Sequence, residues 1–350
     1  MRVLLFEDDA VARLAPVTLG RPAYAIGCAG TRLLTLVREL GEVHCLVRPH
    51  LRAIEAANPA LEVVDHPEGD EPLLIVNARL APLATTFERL EQLSRQRAPK
   101  LLVHGEHVVA AVVKGSLPPQ ADATALTVWL KQLSLPTESA DLSLFEYPHD
   151  ILRHHAAGFN ANLERRLAQA AAAPEGKPYR EIADGVFVGA NVTLGEHLVT
   201  DSRRGPIVID DEAELGPFCY LRGPVYIGPA ARLNEHSALK DGVMLGVRTK
   251  VGGEVEASVI EALSNKQHHG FLGHSYIGSW VNLGAGTSNS DLKNTYGEVN
   301  MEYAGRKTPT GLQFVGCFVG EYTKMAVNTS PHTARNTNEP SSNRSPSDPV

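Results

Sequence analysis

Cysteine is scarce and scattered. Cys28, Cys45, Cys219 and Cys317 show no C-x-x-C spacing, which argues against a disulfide framework and suits reduced thiols in a cytoplasm. Long apolar runs are missing too: nothing approaches the roughly eighteen consecutive apolar residues that cross a bilayer. The first apolar run, Val3 to Phe6, is too short for a secretion signal. Basic charge is in deficit, with 33 Lys and Arg against 40 Asp and Glu and a formal net charge of -7. That balance argues against nucleic acid or an anionic membrane as a partner, since both reward a basic surface. These absences together predict a cytoplasmic protein. What is present is enough apolar material, 43% of 350 residues, to bury two ordinary cores.

Residues 1–149 alternate two kinds of run. Val3 to Phe6, Val43 to Val47, Leu73 to Val76 and Leu101 to His104 suit buried strands. Thr31 to Leu40 and Leu83 to Arg97 carry apolar residues at helical spacing, with Leu83, Phe87, Leu90 and Leu93 on one face. Such alternation predicts an α/β layer with a mostly parallel sheet. Asp150 to Ala173 reads as a single helix, placing Ile151, His155, Phe159, Leu163, Leu167 and Ala170 on one face. Pro174-Glu-Gly-Lys-Pro178 breaks it, so 150–178 is expected to connect two domains.

The pattern then changes. Ile209, Leu215, Leu221, Ile227, Leu233, Leu239, Leu245 and Val251 stand six residues apart without exception. Ile182, Val188 and Leu194 keep that period before an insertion, Phe271, Ile277 and Leu283 resume it in a shifted register, and Val319 and Met325 fit a last turn. A period of six matches neither an α-helix nor simple strand alternation. It matches a triangular coil in which each unit supplies one side and one corner, the aliphatic pointing to the axis and Gly or a small polar residue taking the turn. Stacked coils bury a continuous column that no single coil could bury. Residues 179–330 are therefore predicted to form a parallel β-helix ending near Met325. Residues 331–350, with Val350 their single β-branched aliphatic, are expected to be disordered.

Chemistry is expected where the period falters. Ser264-Asn-Lys-Gln-His-His-Gly-Phe-Leu-Gly-His-Ser-Tyr-Ile-Gly278 holds three histidines, His268, His269 and His274, the residue type suited to acid–base work near neutral pH. Asn282-Leu-Gly-Ala-Gly-Thr287 follows at once. These motifs resemble the acetyltransferase half of the GlmU-like bifunctional proteins, which make UDP-N-acetylglucosamine from glucosamine 1-phosphate. Leu14-Ala-Pro-Val-Thr-Leu-Gly-Arg-Pro22, Ile75-Val-Asn-Ala-Arg-Leu80, Phe145-Glu-Tyr-Pro-His-Asp150 and Ser290-Asp-Leu-Lys-Asn-Thr-Tyr-Gly297 resemble a divergent branch of sugar nucleotidyltransferases. The resemblance implies a left-handed β-helix, a nucleotidyltransferase-like first domain and a homotrimer. It also implies acetyl-CoA as co-substrate, an amino-sugar phosphate and a nucleoside triphosphate as substrates, and Mg²⁺ if the first domain is active.

Carried over residue by residue, the resemblance makes His268 the catalytic base and gives Glu254 and Asn282 to substrate. Gly284, Ala285 and Gly286 would face acetyl-CoA, their amides stabilising the thioester oxygen. Two departures stand out: Phe271 replaces the family's Tyr, and Glu256 replaces a phosphate-binding Lys. Lys240, Arg248, Lys250, Lys266 and Lys293 are candidates to supply the missing positive charge, and the spacing selects none of them. In the first domain the Gly-rich phosphate loop is reduced to an echo, Gly30-Thr-Arg-Leu33, and no metal-binding Asp pair is evident. Arg21, Asn77 and Arg79 are the candidate nucleotide-binding residues there. Two other readings compete. One is a zinc hydratase resembling the γ-class carbonic anhydrases, with His269, His274 and His236 as ligands. The other is a non-catalytic sugar-nucleotide-binding scaffold.

Overall fold

The computed structural model describes residues 1–57, 62–63, 71–114, 117, 123–172, 179–303, 305–331 and 336–337. They fall into two compact units, Met1–Asp150 and Ile151–Val350. The division falls at the start of the long helix instead of after it, and the expected break at Pro174 to Pro178 lies outside the described residues.

The first unit is built on a seven-stranded sheet. Its strands are β1 (Arg2–Phe6), β2 (Glu42–Leu46), β3 (Glu62–Val63), β4 (Leu73–Asn77), β5 (Lys100–His104), β6 (His107–Val113) and β7 (Thr137–Ser139). They lie in the order β3-β2-β1-β4-β6-β5-β7. Strands β1 to β4 run parallel, β6 is antiparallel to β4 and β5, and β7 rejoins β5 in parallel. The four expected strands are all present. The one most visibly missed is β6, whose His-Val-Val-Ala-Ala-Val-Val run is buried on both faces and shows no alternation to read. Helices α1 (Leu33–Arg38), α2 (Arg52–Ala56), α3 (Ala84–Gln96) and α4 (Ala123–Gln132) belong to this unit. In α3, Phe87, Leu90 and Leu93 are buried as their spacing requires, and Arg97 ends the helix in the left-handed conformation.

The second unit opens with α5 (Pro148–Ala172), most of which clusters with the coils that follow. Those coils form a parallel β-helix with three faces, sheets of nine, seven and five short strands. In the regular part the same position returns once per coil of three hexapeptide units, Ile207 pairing with Val225 and Val225 with Val243. Ile209, Leu215, Leu221, Ile227, Leu233, Leu239, Leu245 and Val251 all enter the axial core, as the spacing demands. Three outlying positions do not: Leu194, on the first coil, is exposed, and Ile182 and Phe271 also miss the axis. Ile182 is 39% exposed and belongs to Arg180–Ala183, which pairs antiparallel with Val186–Val188 as a lid on the first coil. Leu272, not Phe271, points to the axis, because the preceding coil falls short of three full hexapeptides and the register moves. The coiling also runs past Met325, since Asn336–Thr337 pairs parallel with Phe318–Val319. At those two residues the expected disorder gives way to a strand. The rest of 332–350 lies outside the described residues.

All four cysteines are buried and none forms a disulfide, Cys219 and Cys317 lying inside the β-helix core. Among the described residues no helix is long and apolar enough to cross a membrane.

Helix α5 is tied to the coils by polar contacts at several points. Arg166 lies over the Tyr226 ring at 4.6 Å, and His155 Nε2 donates to the Gly242 carbonyl at 3.0 Å. Burial pushes the His155 imidazole down to about 4, the bond to Gly242 opposing the shift only in part. An unfolded chain protonates this ring near the ordinary value of about 6.5. Between those values the unfolded state binds more protons, so stability falls as pH drops from about 6.5 to about 4 and changes no further below. The expected loss is on the order of 3 kcal/mol. Thermal melts across that range check it: His155→Gln, which keeps a donor but cannot titrate, should lack this part of the acid slope.

Candidate active site

Each coil passes from the seven-stranded face to the five-stranded face through a corner in left-handed backbone. On successive coils that position is held by His197, Phe218, His236, Gly253, Gly270, Gly286 and Asn328, all with positive φ. The first three stack their rings, centroids 4.8 Å and 5.1 Å apart. The stack then stops. Arg232 pairs with Lys250 across a full coil, but Lys250 pairs with Asn265, a step half a hexapeptide shorter. At the shortened coil a Cβ on Gly252 would stand 2.1 Å from the Gln267 carbonyl oxygen. Glycine is therefore required there, and the following corner packs directly onto its backbone.

That following corner carries His268 and His269, both exposed. Neither imidazole makes a hydrogen bond among the described residues. One coil on stand Gly284, Ala285 and Gly286, with Gly286 N–H donating to the His269 carbonyl at 3.2 Å. The glycines have a packing reason of their own: a Cβ on Gly284 would meet Ala326 backbone at 2.5 Å, and one on Gly286 would meet Asn328 Oδ1 at 2.2 Å. Their amides are engaged as well, Gly284 N–H with Met325 O and Gly286 N–H with His269 O. Of the three, Ala285 N–H alone makes no hydrogen bond among the described residues. The proposed oxyanion donor thus narrows from three amides to one.

Asn282 is exposed on the seven-stranded face just before this corner, in register between Asn265 and Lys324. Glu254 opens the strand after the glycine corner, in register with Phe271. It is not free: Lys240 Nζ forms ion pairs with both Glu254 and Glu256, the latter at 3.1 Å. Burial lowers the Lys240 ammonium, but the two carboxylates outweigh it and hold it above its ordinary value. Lys240 is thereby neutralised, a poor anchor for a phosphate. Lys293 lies apart, on the excursion of residues 288–316, and donates to the Glu298 carbonyl at 2.9 Å. Among the described residues no carboxylate pairs with it, so its charge is available.

The excursion adds an arrangement that spacing did not single out. His274 Nδ1 meets Asp291 Oδ2 at 2.8 Å, and the His274 ring stacks on Phe314 at 5.1 Å. An imidazole with one nitrogen held by a carboxylate has a fixed orientation and tautomer. The offset from His274 to Asp291 equals the coil step from Glu254 to Phe271, so counting by coils would have found the pair. The same geometry dismantles the zinc reading within one chain. His269 and His274 sit at opposite ends of strand Phe271–Gly273, and His236 is two coils below His269 and stacked on Phe218. Among the described residues no group of three potential ligands could hold a metal.

In the first unit, strand order reverses between β1 and β4, the place where open α/β sheets hold ligands. Asn77 and Arg79 are there, together with Asp8. Arg79 is fully buried, and each of its five N–H groups has a partner: Nε and Nη2 clasp Asp8 at 2.6 and 2.8 Å, Nη2 also reaches His107 Nδ1, and Nη1 meets Phe145 O and Glu146 Oε1. Asn77 Nδ2 donates to Asp8 Oδ2 at 2.8 Å. Arg21 is held elsewhere, Nη1 on Ala25 O at 3.2 Å. Cys28 and Thr31 exchange backbone hydrogen bonds across Ala29 and Gly30. The Gly30 echo is therefore a tight turn leading into α1, not a phosphate loop. Asp8 and Glu146 are the carboxylates to which Mg²⁺ would turn, but a guanidinium lies between them. As arranged, these residues do not fit a divalent cation.

Fold and corner together define a class: an α/β domain of the nucleotidyltransferase type followed by a hexapeptide β-helix with a histidine corner. Residues 3–169 match the family model described as sugar nucleotidyl transferase. The chain is 30% identical over 161 residues to a bifunctional sugar-1-phosphate nucleotidylyltransferase/acetyltransferase of Sulfurisphaera tokodaii, covering 44% of this chain and 40% of that one. It is 30% identical over 148 residues to the bifunctional protein GlmU of Azorhizobium caulinodans (37% and 32%), and 34% identical over 104 residues to that of Acidithiobacillus ferrooxidans (29% and 22%). The resemblance carried by the motifs is borne out, although the matched stretches span less than half the length of these relatives.

Proposed function

We propose that the β-helix transfers an acetyl group from acetyl-CoA to the amine of an amino-sugar phosphate, with His268 as base. The observation that carries this is the shared corner: an exposed imidazole with no internal partner among the described residues, one coil from Ala285, whose N–H is unengaged. The amine nitrogen attacks the thioester carbonyl while His268 takes its proton, since only a neutral amine is a nucleophile. Ala285 N–H stabilises the oxygen as charge develops. The carbon–sulfur bond then breaks, and the departing thiolate takes up a proton. Asn282 orients the acceptor and Lys293, unpaired with carboxylate, holds its phosphate. A homotrimer, in which a neighbouring subunit completes the corner, accords with the solvent exposure of His268.

For the first unit we propose sugar-1-phosphate nucleotidyl transfer to a UDP-N-acetylglucosamine-type product, supported by the family match over residues 3–169. Two assays separate the halves. Thiol release from acetyl-CoA across a panel of amino-sugar phosphates tests the β-helix, and absence of turnover with all of them leaves a binding scaffold. Pyrophosphate release from nucleoside triphosphate, Mg²⁺ and sugar 1-phosphate tests the first unit. Silence with all four nucleotides would reduce that unit to a binding or regulatory role.

A further inference from the structure

Along the seven-stranded face, one residue per coil occupies the axial register: Leu194, Leu215, Leu233, Val251, Lys266, Leu283 and Met325. Six are apolar and the fifth is a lysine. Lys266 is 2% exposed, and its Nζ donates to Gly252 O at 2.8 Å and to His268 O at 3.0 Å. No carboxylate pairs with it among the described residues, and burial alone lowers its ammonium to about 8. Putting an ammonium among aliphatics is costly, and two carbonyl bonds return only part of that cost. An apolar residue would serve the column better, as Leu215, Leu233, Val251, Leu283 and Met325 do on the other buried coils.

The position of the exception is informative. It falls on the coil that carries His268, two positions before it, beside the glycine corner where the coil step shortens. The two carbonyls it holds belong to that glycine corner and to His268 itself. The carbonyls on either side are held from neighbouring coils, Gln267 O by Asn234 Nδ2 at 2.8 Å and His269 O by Gly286 N–H at 3.2 Å, while the carbonyl between them, that of His268, is held by Lys266. We propose that Lys266 is a positioning residue for the acyl-transfer corner. From the axis its ammonium ties the backbone of His268 to Gly252, fixing the height and direction at which the imidazole leaves the coil. This rests on the reading of His268 as the base.

The test is Lys266→Met, which matches the lysine in length and the column in polarity. Replacing an unpaired buried charge by a well-packed apolar residue tends to be neutral or stabilising, so the melting temperature should hold or rise. Meanwhile kcat should fall by about 10²-fold, the effect of a misplacement of about 1 Å, with KM for acetyl-CoA little changed. Lys266→Gln, whose amide reaches part of the way to the same carbonyls, should recover part of the loss. A lysine with a merely structural role gives the opposite pattern, a lower melting temperature and an intact kcat, and would overturn the proposal. So would full kcat in Lys266→Met. An independent arm uses histidine ring NMR, in which the His268 signals should shift or broaden in Lys266→Met while those of His155 stay fixed. If the wild-type protein transfers no acetyl group, the reading of the site has failed. The ring signals then decide the positioning alone, and an unchanged His268 spectrum sinks it.

Discussion

His268→Ala is expected to lower the turnover of acetyl-CoA by about 10³-fold, within the 10²- to 10⁴-fold range of a lost general base. Folding should be untouched. The ring is exposed and bonds to nothing within the chain among the described residues, so its removal strands no buried partner. Removing a proton acceptor acts on the transition state, so kcat should fall with KM for acetyl-CoA nearly unchanged. His269→Ala is the matched control, equally exposed on the same corner. Steady-state thiol release with both variants separates the two histidines. Equal losses, or an intact His268→Ala, would move the base elsewhere, and His274 with its carboxylate partner Asp291 would be the place to look.

Arg79→Met is expected to destabilise the first unit by roughly 3–5 kcal/mol, the cost of stripping one partner from a buried ion pair. Asp8 would be left buried beside Asn77, facing the loss of the guanidinium that now clasps it. In the folded protein, burial pushes the Asp8 carboxyl up, but the hydrogen bonds and charge of Arg79 outweigh it and hold the group below its ordinary range. The sign follows from linkage. A depressed folded pKa gives a contribution that is complete above the unfolded value of about 3.9 and fades as pH falls through the folded one. In Arg79→Met burial is opposed only by the Asn77 hydrogen bond and the nearby His107, weaker than the lost guanidinium, so acid should relieve the variant by protonating Asp8. Urea unfolding at neutral pH and near pH 4 should show the gap between wild type and variant narrowing with acid. A loss below about 1 kcal/mol would show that the buried cluster contributes no more than a surface pair.

The β-helix was legible in the sequence because its periodicity is local and strict. Each aliphatic at the six-residue step must point to the axis, and Ile209 to Val251 do. The register was lost at Phe271 because a shortened coil is invisible to a fixed period. The mixed sheet was legible only in part, since β6 is apolar on both faces and carries no alternation. At the site, His268 and the Gly284 to Gly286 turn were readable as a motif. Their engagement was not: whether an amide is free depends on the neighbouring coils, and Met325 and His269 take two of the three. Arg21, Asn77 and Arg79 were named from the sequence as nucleotide contacts, but the saturation of the Arg79 guanidinium by Asp8, Phe145, Glu146 and His107 depends on contacts that sequence proximity does not reveal. Lys240 failed as an anion anchor for a similar reason, its two carboxylate partners lying one coil away.

The β-helix closes over its own excursion. Tyr276 pairs with Phe318 and Asn282 with Lys324, partners from the far side of the excursion, in the same parallel register as the coils below. Residues 288–316 leave and re-enter without altering the stacking of these two faces. The excursion is stitched to the coil it leaves, Gly273 N–H donating to Asn289 Oδ1 at 2.9 Å and Gly316 N–H to His274 O at 2.7 Å. A substitution at Lys293, whose bond stays within the excursion, therefore meets a different constraint from one at Asn289, on which the backbone of the coil depends.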